Sequence, residues 1–485
     1  MSRVLEGLKP ERVFYYFEEI SNIPRCSGQE EKISNYLAGL GRKLGLETIQ
    51  DEALNVIIKK PATPGYENSP TVILQGHMDM VCEKEEACNH DFSKDPLKLK
   101  VEGDFITADG TTLGADNGIA VAMCLALLEA KDVPHPPLEV LLTTDEEVGM
   151  GGAKGLNPNN LTGKILINID SEEEGTALVS CAGGEDNLVT IPIQWQKGKA
   201  TEAYYIKTAG LLGGHSGMEI DKGRGNANRI IARVLSYAKD KCNIELAHIE
   251  GGSKANAIPR NGSALVLVNK EEEDAFLKAV DNIKEAIQKE LAASEPAFSL
   301  VVEKAEEKVE KVFTEDSFNR VMAALMLIPT GVQSMSMEMD ELVESSCNMA
   351  IVNTEADQVT IRVSLRSSKE SLKKFIAQQI ETVAKLVKGA YKRNSSYPAW
   401  EYKEDSYIRG VFKKVYKEQF GKELEIKAIH AGLECGIFDE KFNGNLDMIS
   451  FGPNMYGVHT PQEKLSISSV ERTYQFLLAV LKEIK

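Results

Sequence analysis

Acidic residues and histidines follow several short hydrophobic segments of this chain, and this pattern constrains the fold more than any other feature of the sequence. Continuous runs of Val, Ile and Leu are typical of strands that are buried on both faces of a parallel sheet. In such sheets ligands bind beside the carboxyl ends of the strands, so polar side chains placed there are expected to meet. The apolar segments are residues 71–74, 138–142, 165–169 and 448–451, and the polar residues that follow them are His77, Asp79, Glu146, Glu147, Asp170 and His459.

Strand-like and helix-like segments alternate through the first third of the chain, and Asp116 opens an alanine-rich helix directly after a glycine turn. Alternation of this kind predicts an α/β fold with a mostly parallel sheet that helices cover on both faces. A different run of strands and helices occupies residues 187–392, and the first pattern resumes after it. We therefore expect an inserted α+β domain within a discontinuous first domain.

The chain has 485 residues, of which 42% are hydrophobic, and this length exceeds what one compact core accommodates. We predict a first domain at residues 1–186 and 393–485 and an inserted domain at 187–392. The segment 392–398 is polar and rich in turn-forming residues, which indicates a linker back to the first domain. Because His459 lies in the last part, the site formed by the strand ends needs both parts of the first domain.

The charge balance is 56 basic against 73 acidic residues, a formal net charge of −17. Such a surface repels nucleic acid and anionic membranes, so we expect neither as a partner and expect a small-molecule substrate instead. The first 17 residues carry charges throughout, and no apolar run is long enough to span a bilayer. The eight cysteines form no Cys-x-x-Cys pair, which predicts reduced thiols and a cytoplasmic location.

Imidazole and carboxylate together suit a borderline divalent cation such as zinc. A single His-x-Asp or Glu-Glu pair is most often structural, but the combination of all these segments favours a metal site. Adjacent residues on a strand point to opposite faces, so Glu146 could face a substrate while Glu147 faces a metal. Glycines at 149, 151 and 152 then permit a tight turn. The residues therefore predict a hydrolase with two metal ions.

The motifs that carry these residues resemble those of the co-catalytic zinc metallopeptidases, a family that includes carnosinases, di- and tripeptidases and amino-acid deacylases. Within it, the chain is most similar to the bacterial aminoacyl-histidine (Xaa-His) dipeptidases, and the resemblance covers nearly the whole sequence. Further matching segments are residues 111–118, 168–175, 213–217 (Gly-Gly-His-Ser-Gly), 256–260 (Asn-Ala-Ile-Pro-Arg) and 430–436 (His-Ala-Gly-Leu-Glu-Cys-Gly).

This resemblance implies two Zn²⁺ per subunit, for which Co²⁺ or Mn²⁺ could substitute. His77 and Asp170 would bind one ion, Glu147 and His459 the other, and Asp116 would bridge them. Asp79 would accept a hydrogen bond from the far nitrogen of His77 without touching metal, and Glu146 would be the general base. These two are the implied catalytic residues. The family also implies a cis peptide bond between Asp116 and Asn117.

The resemblance further implies that the inserted domain is a lid that forms a homodimer. There His215 would stabilise the oxyanion of the intermediate, often across the dimer interface. Arg366 and Asn256 would bind the terminal carboxylate of the substrate, because a guanidinium fork suits that group; Arg260 is a weaker candidate. His430 and Glu434 are the candidate substrate-binding residues of the returning segment, and we expect Glu434 to bind the free ammonium of a dipeptide.

Three functions agree with these residues to different degrees. The first is a dipeptidase that cleaves unblocked dipeptides through a metal-activated water, with preference for Xaa-His substrates including β-alanyl-histidine. The second is an amino-acid deacylase on the same scaffold, which the metal motifs alone do not exclude; the lid residues and Glu434 favour the dipeptidase. The third is a binding protein that has lost catalysis, and the intact ligands and base argue against it.

Overall fold

The computed structural model describes residues 3–306 and 308–485, and the chain divides into two compact units. The first unit holds the residues up to Ser180 together with Tyr402–Ala428 and Leu433–Lys485, and the second holds Cys181–Glu401 and Ile429–Gly432. The divisions thus lie near residues 180 and 402 rather than at 186 and 392, and a short return segment belongs to the second unit.

The α-helices of the described chain range from single turns to five turns. In chain order they are α1 (Glu11–Ser21), α2 (Glu31–Lys43), α3 (Ala115–Glu129), α4 (Glu146–Gly149), α5 (Gly151–Gly155), α6 (Ala227–Lys239), α7 (Glu273–Leu291), α8 (Glu315–Leu327), α9 (Glu370–Leu386), α10 (Tyr407–Phe420), α11 (Glu434–Lys441) and α12 (Ile467–Glu483).

The β-strands alternate with these helices in the first unit and cluster together in the second. In chain order they are β1 (Glu47–Gln50), β2 (Val56–Lys60), β3 (Val72–His77), β4 (Leu99–Glu102), β5 (Phe105–Ala108), β6 (Leu138–Thr143), β7 (Ile165–Asn168), β8 (Thr176–Cys181), β9 (Gly183–Pro192), β10 (Trp195–Lys197), β11 (Glu202–Ala209), β12 (Gly214–His215), β13 (Ile244–Gly251), β14 (Ala257–Ile258), β15 (Gly262–Val268), β16 (Ser299–Lys304), β17 (Lys311–Phe313), β18 (Gly331–Met335), β19 (Val343–Thr354), β20 (Gln358–Ser367), β21 (Ala390–Tyr397), β22 (Glu425–Ile429), β23 (Asp447–Ser450), β24 (Met455–Tyr456) and β25 (Lys464–Ser466).

The main sheet of the first unit has the strand order β1-β2-β6-β3-β7-β23-β8-β22. Its four central strands, β6, β3, β7 and β23, are parallel, whereas β1, β2 and β8 pair antiparallel with their neighbours. Every residue of β3, β6 and β7 is buried, as expected for strands with helices on both faces. The prediction of a parallel, helix-covered sheet is therefore confirmed for its centre, while its edges are antiparallel.

Helix α3 lies between β5 and β6 in the chain and is apolar on almost its whole circumference. Nearly all of its residues are buried, from Ala115 to Leu128, because it packs between α1 and strand β3. An all-round apolar helix is stable in water only in such an interior position. Burial of this helix fixes Asp116, which lies in its first turn.

The second unit contains one large antiparallel sheet with the order β16-β11-β15-β13-β19-β20-β9-β21, to which β18 adds beside β19. Helices α6, α7, α8 and α9 pack on it, and their apolar faces share one core with the inward residues of the strands. Among these core residues are Ile206, Ile231, Phe276, Val321 and Ile361. The α+β architecture expected for the inserted segment is present.

The linker predicted at residues 392–398 is wrong, because most of it forms strand β21. This strand pairs antiparallel with β9, from Ala390 opposite Thr190 to Tyr397 opposite Gly184. Its side chains are largely exposed, since it lies at the edge of the sheet, where polar residues prevent pairing with other chains. Its polar composition therefore reflects an edge position rather than a turn.

The expectation that the cysteines are reduced thiols is wrong for one pair. Cys26 and Cys82 form a disulfide, with their Cα atoms 5.7 Å apart. The two residues are distant in the sequence, so the lack of a Cys-x-x-Cys motif did not reveal the pairing. No helix of the described chain combines the length and the apolar character needed to cross a membrane.

Candidate metal centre

The parallel register of the main sheet brings the predicted ligand segments to one edge. His77 is the last residue of β3 and lies opposite Thr143, the last residue of β6. Gln75 of β3 lies opposite Asn168, the last residue of β7. The segments that follow β6 and β7 carry Glu147, in helix α4, and Asp170, so the side chains converge above the strand ends as the sequence pattern predicts.

The structure brings all five predicted ligands together in two groups that share Asp116. His77, Asp116 and Asp170 form one group, and Asp116, Glu147 and His459 form the other; within each, the candidate ligand atoms lie within 4.8 Å of one another. The two carboxylate oxygens of Asp116 face different histidines. Oδ1 lies 3.1 Å from Nε2 of His77, and Oδ2 lies 3.2 Å from Nε2 of His459. This arrangement suits a carboxylate that bridges two cations.

Two further distances, between each histidine and a second carboxylate, complete the two ligand groups. Nε2 of His77 lies 3.5 Å from Oδ1 of Asp170, and Nε2 of His459 lies 3.0 Å from Oε2 of Glu147. In the described chain, the ion-pair partners of the three carboxylates are these two histidines and no lysine or arginine. Carboxylates that converge without a cationic side chain, together with imidazole nitrogens, fit divalent metal ions.

Glu146 lies beside the ligands rather than apart from them. Glu146, Glu147 and His77 form a third group of close candidate ligand atoms. The two glutamates occupy the short helix α4, so the expectation that they lie on a strand is wrong. Burial raises the pKa of Glu146 well above its usual value, and the charge of His77 opposes this effect.

The pKa values of the candidate ligands show how strongly these carboxylates and histidines interact with one another. Burial raises the pKa of Asp170 to about 6, and the charges of Asp116 and Glu147 add to this effect. Hydrogen bonds with Asp116 and Glu147 raise the pKa of His459 to about 11. Cations in the site would replace these protons and neutralise the crowded carboxylates.

Asp79 connects a ligand to the backbone that carries the candidate base. Its Oδ1 lies 3.3 Å from Nδ1 of His77, the nitrogen that faces away from the other ligands. Its carboxylate also accepts hydrogen bonds from the backbone N–H groups of Glu146 (3.1 Å) and Glu147 (3.4 Å) and from the hydroxyl of Ser27 (2.7 Å). An acceptor in this position fixes the ring orientation and basicity of a ligating histidine.

The turn around Asp116 is held by hydrogen bonds that the sequence did not predict. The peptide bond between Asp116 and Asn117 is cis, as the family resemblance implied. The Asn117 side chain donates to the carbonyl of Ile169 (2.6 Å) and accepts from the backbone N–H of His77 (3.2 Å). The buried Arg25 donates to the carbonyl of Gly114 (2.6 Å). These contacts join the turn to β3 and to the loop after β7.

Glu463 holds the same turn from the other end of the chain. Its carboxylate accepts hydrogen bonds from four successive backbone N–H groups, those of residues 113 to 116. The sequence analysis missed this residue. Its position four residues after His459 was the available signal, because ligand segments often carry the groups that orient them.

Glu434 is fully buried at the start of α11, among the strands that lead to the ligands. Its Oε2 accepts hydrogen bonds from Nε2 of Gln75 (2.6 Å) and Oγ1 of Thr143 (2.7 Å). Burial raises the pKa of Glu434 to about 8, and the nearby His77 charge opposes the rise. No described residue donates to its other oxygen, Oε1, which leaves that oxygen available for a ligand.

The remaining predicted substrate-binding residues lie in the second unit, where three of them surround Gly217. A Cβ atom at Gly217 would lie 2.5 Å from the carbonyl oxygen of His430 and 3.1 Å from both Nε of Arg366 and Cε1 of His215. Only glycine fits this position. Asn256 joins the group through its carbonyl, which accepts from the N–H of Ser216 (2.9 Å).

The side chains around Gly217 differ in which of their polar atoms already have hydrogen-bond partners. Nδ1 of His215 accepts from the N–H of Met218 (3.0 Å), which leaves its other ring nitrogen as a donor. Arg366 donates to the hydroxyl of Tyr397 (3.0 Å) through Nη1. Nε2 of His430 lies 2.7 Å from Oγ of Ser346, and burial lowers the His430 pKa to about 4.

Comparison with known proteins places this site in a family. The chain is 37% identical over 483 residues, or 99% of both sequences, to the cytosol non-specific dipeptidase of Escherichia coli (strain K12). It is also similar to the crystal structure of the aminoacylhistidine dipeptidase from Vibrio alginolyticus, with 39% identity, a TM-score of 0.94, and coverage of 99% of this chain and 98% of that one.

More distant structures share the fold alone. The aminopeptidase PepT from Bacillus cereus superposes with a TM-score of 0.57 at 17% identity, over 98% of this chain and 99% of that one. Residues 73–483, which include every candidate ligand, match the family described as Peptidase family M20/M25/M40. The chain therefore belongs to peptidase family M20/M25/M40 and has its α/β fold.

Proposed function

We propose that this protein is a metal-dependent dipeptidase that hydrolyses unblocked dipeptides, with Xaa-His dipeptides among its preferred substrates. The observation that carries the proposal is the Asp116 carboxylate, whose two oxygens face the two ligand groups. The names of the similar E. coli and V. alginolyticus proteins support the choice of dipeptides. The name of the E. coli protein likewise supports our proposal of a cytoplasmic location.

We assign His77 and Asp170 to one ion, Glu147 and His459 to the other, and Asp116 to both. Zn²⁺ fits this combination of imidazole and carboxylate, and Co²⁺ or Mn²⁺ could occupy the same ligands. When bound, two such cations would lower the pKa of a water molecule and polarise the scissile carbonyl. Asp79 holds His77 in the orientation that the site needs.

Glu146 is the general base in this proposal. It lies next to the ligands without being needed in either group that contains Asp116. There it removes a proton from the attacking water and delivers it to the leaving amine. Burial raises the pKa of Glu146 above its usual value, so its carboxyl group holds a proton more readily than an exposed glutamate does.

The residues around Gly217 are our candidates for substrate binding. Arg366 presents a guanidinium with an unpaired, buried Nε and would bind the terminal carboxylate, with Asn256 as its partner and His430 beside it. His215 would donate to the oxyanion of the tetrahedral intermediate. We propose that the second unit serves as the lid that the family resemblance implies.

The substrate class is testable with a small panel of compounds. We expect Ala-His and β-alanyl-histidine to be cleaved and their N-acetylated forms to be cleaved at least about 10²-fold more slowly, since Glu434 would lose its ammonium partner. Initial rates with Ala-His, β-alanyl-histidine, Cys-Gly and N-acetyl amino acids measure this. Efficient release of acetate from the N-acetyl amino acids would instead establish a deacylase.

The variant Glu434→Gln tests the assignment within this panel. It should reduce the preference for free over N-acetylated dipeptides, because the amide keeps the contacts to Gln75 and Thr143 but cannot ionise, whereas a bound ammonium would favour the ionised carboxylate. Glu295→Gln is a suitable control, since Glu295 is equally buried and accepts backbone N–H groups in the second unit. An unchanged preference in Glu434→Gln would remove Glu434 from this role.

We also propose that the protein forms a homodimer through the second unit. Met337 is 97% exposed there, and other large apolar side chains of the same unit are exposed as well. Exposed apolar surface of this kind is typical of interaction sites. Sedimentation velocity under assay conditions should show a species of twice the chain mass, and a monomer alone would contradict this. The other exposed large apolar side chains of the described part of this unit are Leu212, Met218, Met326, Leu327, Val332, Met335, Phe375 and Leu386.

A further inference from the structure

The Glu463 carboxylate accepts four hydrogen bonds from backbone groups that are far from it in the sequence. Oε2 accepts from the N–H groups of Leu113 (2.7 Å) and Gly114 (2.9 Å), and Oε1 accepts from those of Ala115 (2.8 Å) and Asp116 (3.2 Å). Each oxygen thus takes two consecutive donors. The acceptor and the last donor are 347 residues apart in sequence.

Two of these donors, Leu113 and Gly114, precede helix α3, and the other two, Ala115 and Asp116, are its first residues. The first N–H groups of any helix lack intrahelical acceptors, and here the backbone leaves helical geometry at Asp116 and Asn117. Glu463 is only 2% exposed, so water cannot replace it. Unpaired N–H groups in a buried turn are costly, so this carboxylate stabilises the turn in its present conformation.

Glu463 is equally fixed with respect to His459. Its backbone N–H donates to the carbonyl of Thr460 (3.0 Å), and Thr460 donates to Gly457 (3.2 Å), so a tight turn connects the two side chains. Directly after Glu463, strand β25 pairs with β5. A short rigid segment thus carries both a candidate ligand and the carboxylate that holds another candidate ligand.

We propose that Glu463 is a positioning residue that sets the separation between Asp116 and His459, and thereby the affinity for the ion that these two and Glu147 would share. This inference rests on the metal centre proposed above. Glu463 contacts no ligand side chain; it acts on Asp116 through its backbone and on His459 through the turn between them. Its effect should therefore be on one ion more than on the other.

The variant Glu463→Gln tests this, because the amide has the same size but presents an NH₂ group to backbone donors. We expect the ion at Asp116, Glu147 and His459 to lose affinity by about 10–100-fold, as is usual for groups that orient ligands, while the ion at His77 and Asp170 is retained. Competition with a chromophoric chelator, with Zn²⁺ added to metal-free protein, measures both affinities. kcat at limiting Zn²⁺ should fall and recover when Zn²⁺ is raised.

Glu139→Gln is the matched control. Glu139 is also 2% exposed, lies in the same unit, and accepts N–H groups of Thr162 (2.8 Å) and Gly163 (2.9 Å), but it stands near the start of β6, away from the strand ends. Both variants should unfold at lower temperature when metal-free. Only Glu463→Gln should change Zn²⁺ affinity. If the role of Glu463 were purely structural, the two variants would bind Zn²⁺ with the same affinity.

The outcomes separate this inference from the proposal on which it rests. If the unaltered protein binds no pair of ions, the metal centre itself is refuted. If it binds two and Glu463→Gln binds both with the same affinity, or loses both equally, the positioning role is refuted. If Glu463→Gln fails to fold, Glu463→Asp is the alternative test. This variant keeps the charge but has a shorter side chain. It should show a smaller loss of Zn²⁺ affinity, and at the same ion only.

Discussion

Replacement of Glu146 by Gln should lower kcat by about 10²–10⁴-fold while both metal ions remain bound, which is the usual contribution of a general base. The amide has nearly the shape of the carboxylate but cannot accept a proton from the attacking water. The ligand groups that contain Asp116 do not include Glu146, so metal content should stay the same. Steady-state kinetics with a dipeptide and metal analysis of the same sample measure the two effects together.

Glu147→Gln is the informative contrast, because the two residues are adjacent in helix α4. Oε2 of Glu147 lies 3.0 Å from Nε2 of His459, so its loss should weaken metal binding as well as turnover. If Glu146→Gln kept full activity, Glu146 would not be the base. If it lost a metal ion, it would be a ligand instead.

The second large effect is expected for Asp116→Asn. An amide offers one oxygen and one NH₂ group, so it cannot face both groups with an acceptor as the two carboxylate oxygens do. We expect Zn²⁺ affinity to fall by at least about 10²-fold, the upper limit for loss of an outer contact, and activity to fall with it. Metal content after dialysis and the rate at saturating substrate are the measurements.

Asp104→Asn controls for the loss of a hydrogen-bonded aspartate in the same unit. Asp104 accepts from the hydroxyls of Ser466 (2.7 Å) and Ser468 (2.8 Å) and lies outside both ligand groups. It should retain metal and activity. A fully metallated, active Asp116→Asn protein would refute the shared-ligand arrangement, and so would peptide hydrolysis that survives complete removal of metal.

The sequence predicted the centre of the main sheet well and its edges poorly, for a physical reason. Strands β3, β6, β7 and β23 are buried on both faces, so their composition alone marks them. Strand β21 is an exposed edge, and its polar residues match those of a linker. Composition reports burial more directly than it reports hydrogen bonding between strands.

In the candidate site, the sequence revealed the residues whose side chains carry the chemistry but not those that bind backbone groups. His77, Asp116, Glu147, Asp170 and His459 could be found because metal binding demands particular residue types. Arg25 and Glu463 bind backbone groups, which every residue possesses. Their partners depend on how distant turns fold together, and no local pattern records that. The disulfide between Cys26 and Cys82 was missed for the same reason.

The candidate ligands Asp116 and His459 lie 343 residues apart in the chain, and this order has a consequence for biosynthesis. At the usual rate of roughly 5–20 residues per second, a ribosome needs about 17–70 s to reach the second residue after the first. The intervening unit has its own core and can fold during that interval. The nascent chain can complete the centre only when its last segment is released, so a truncated translation product would be unable to acquire the full set of ligands.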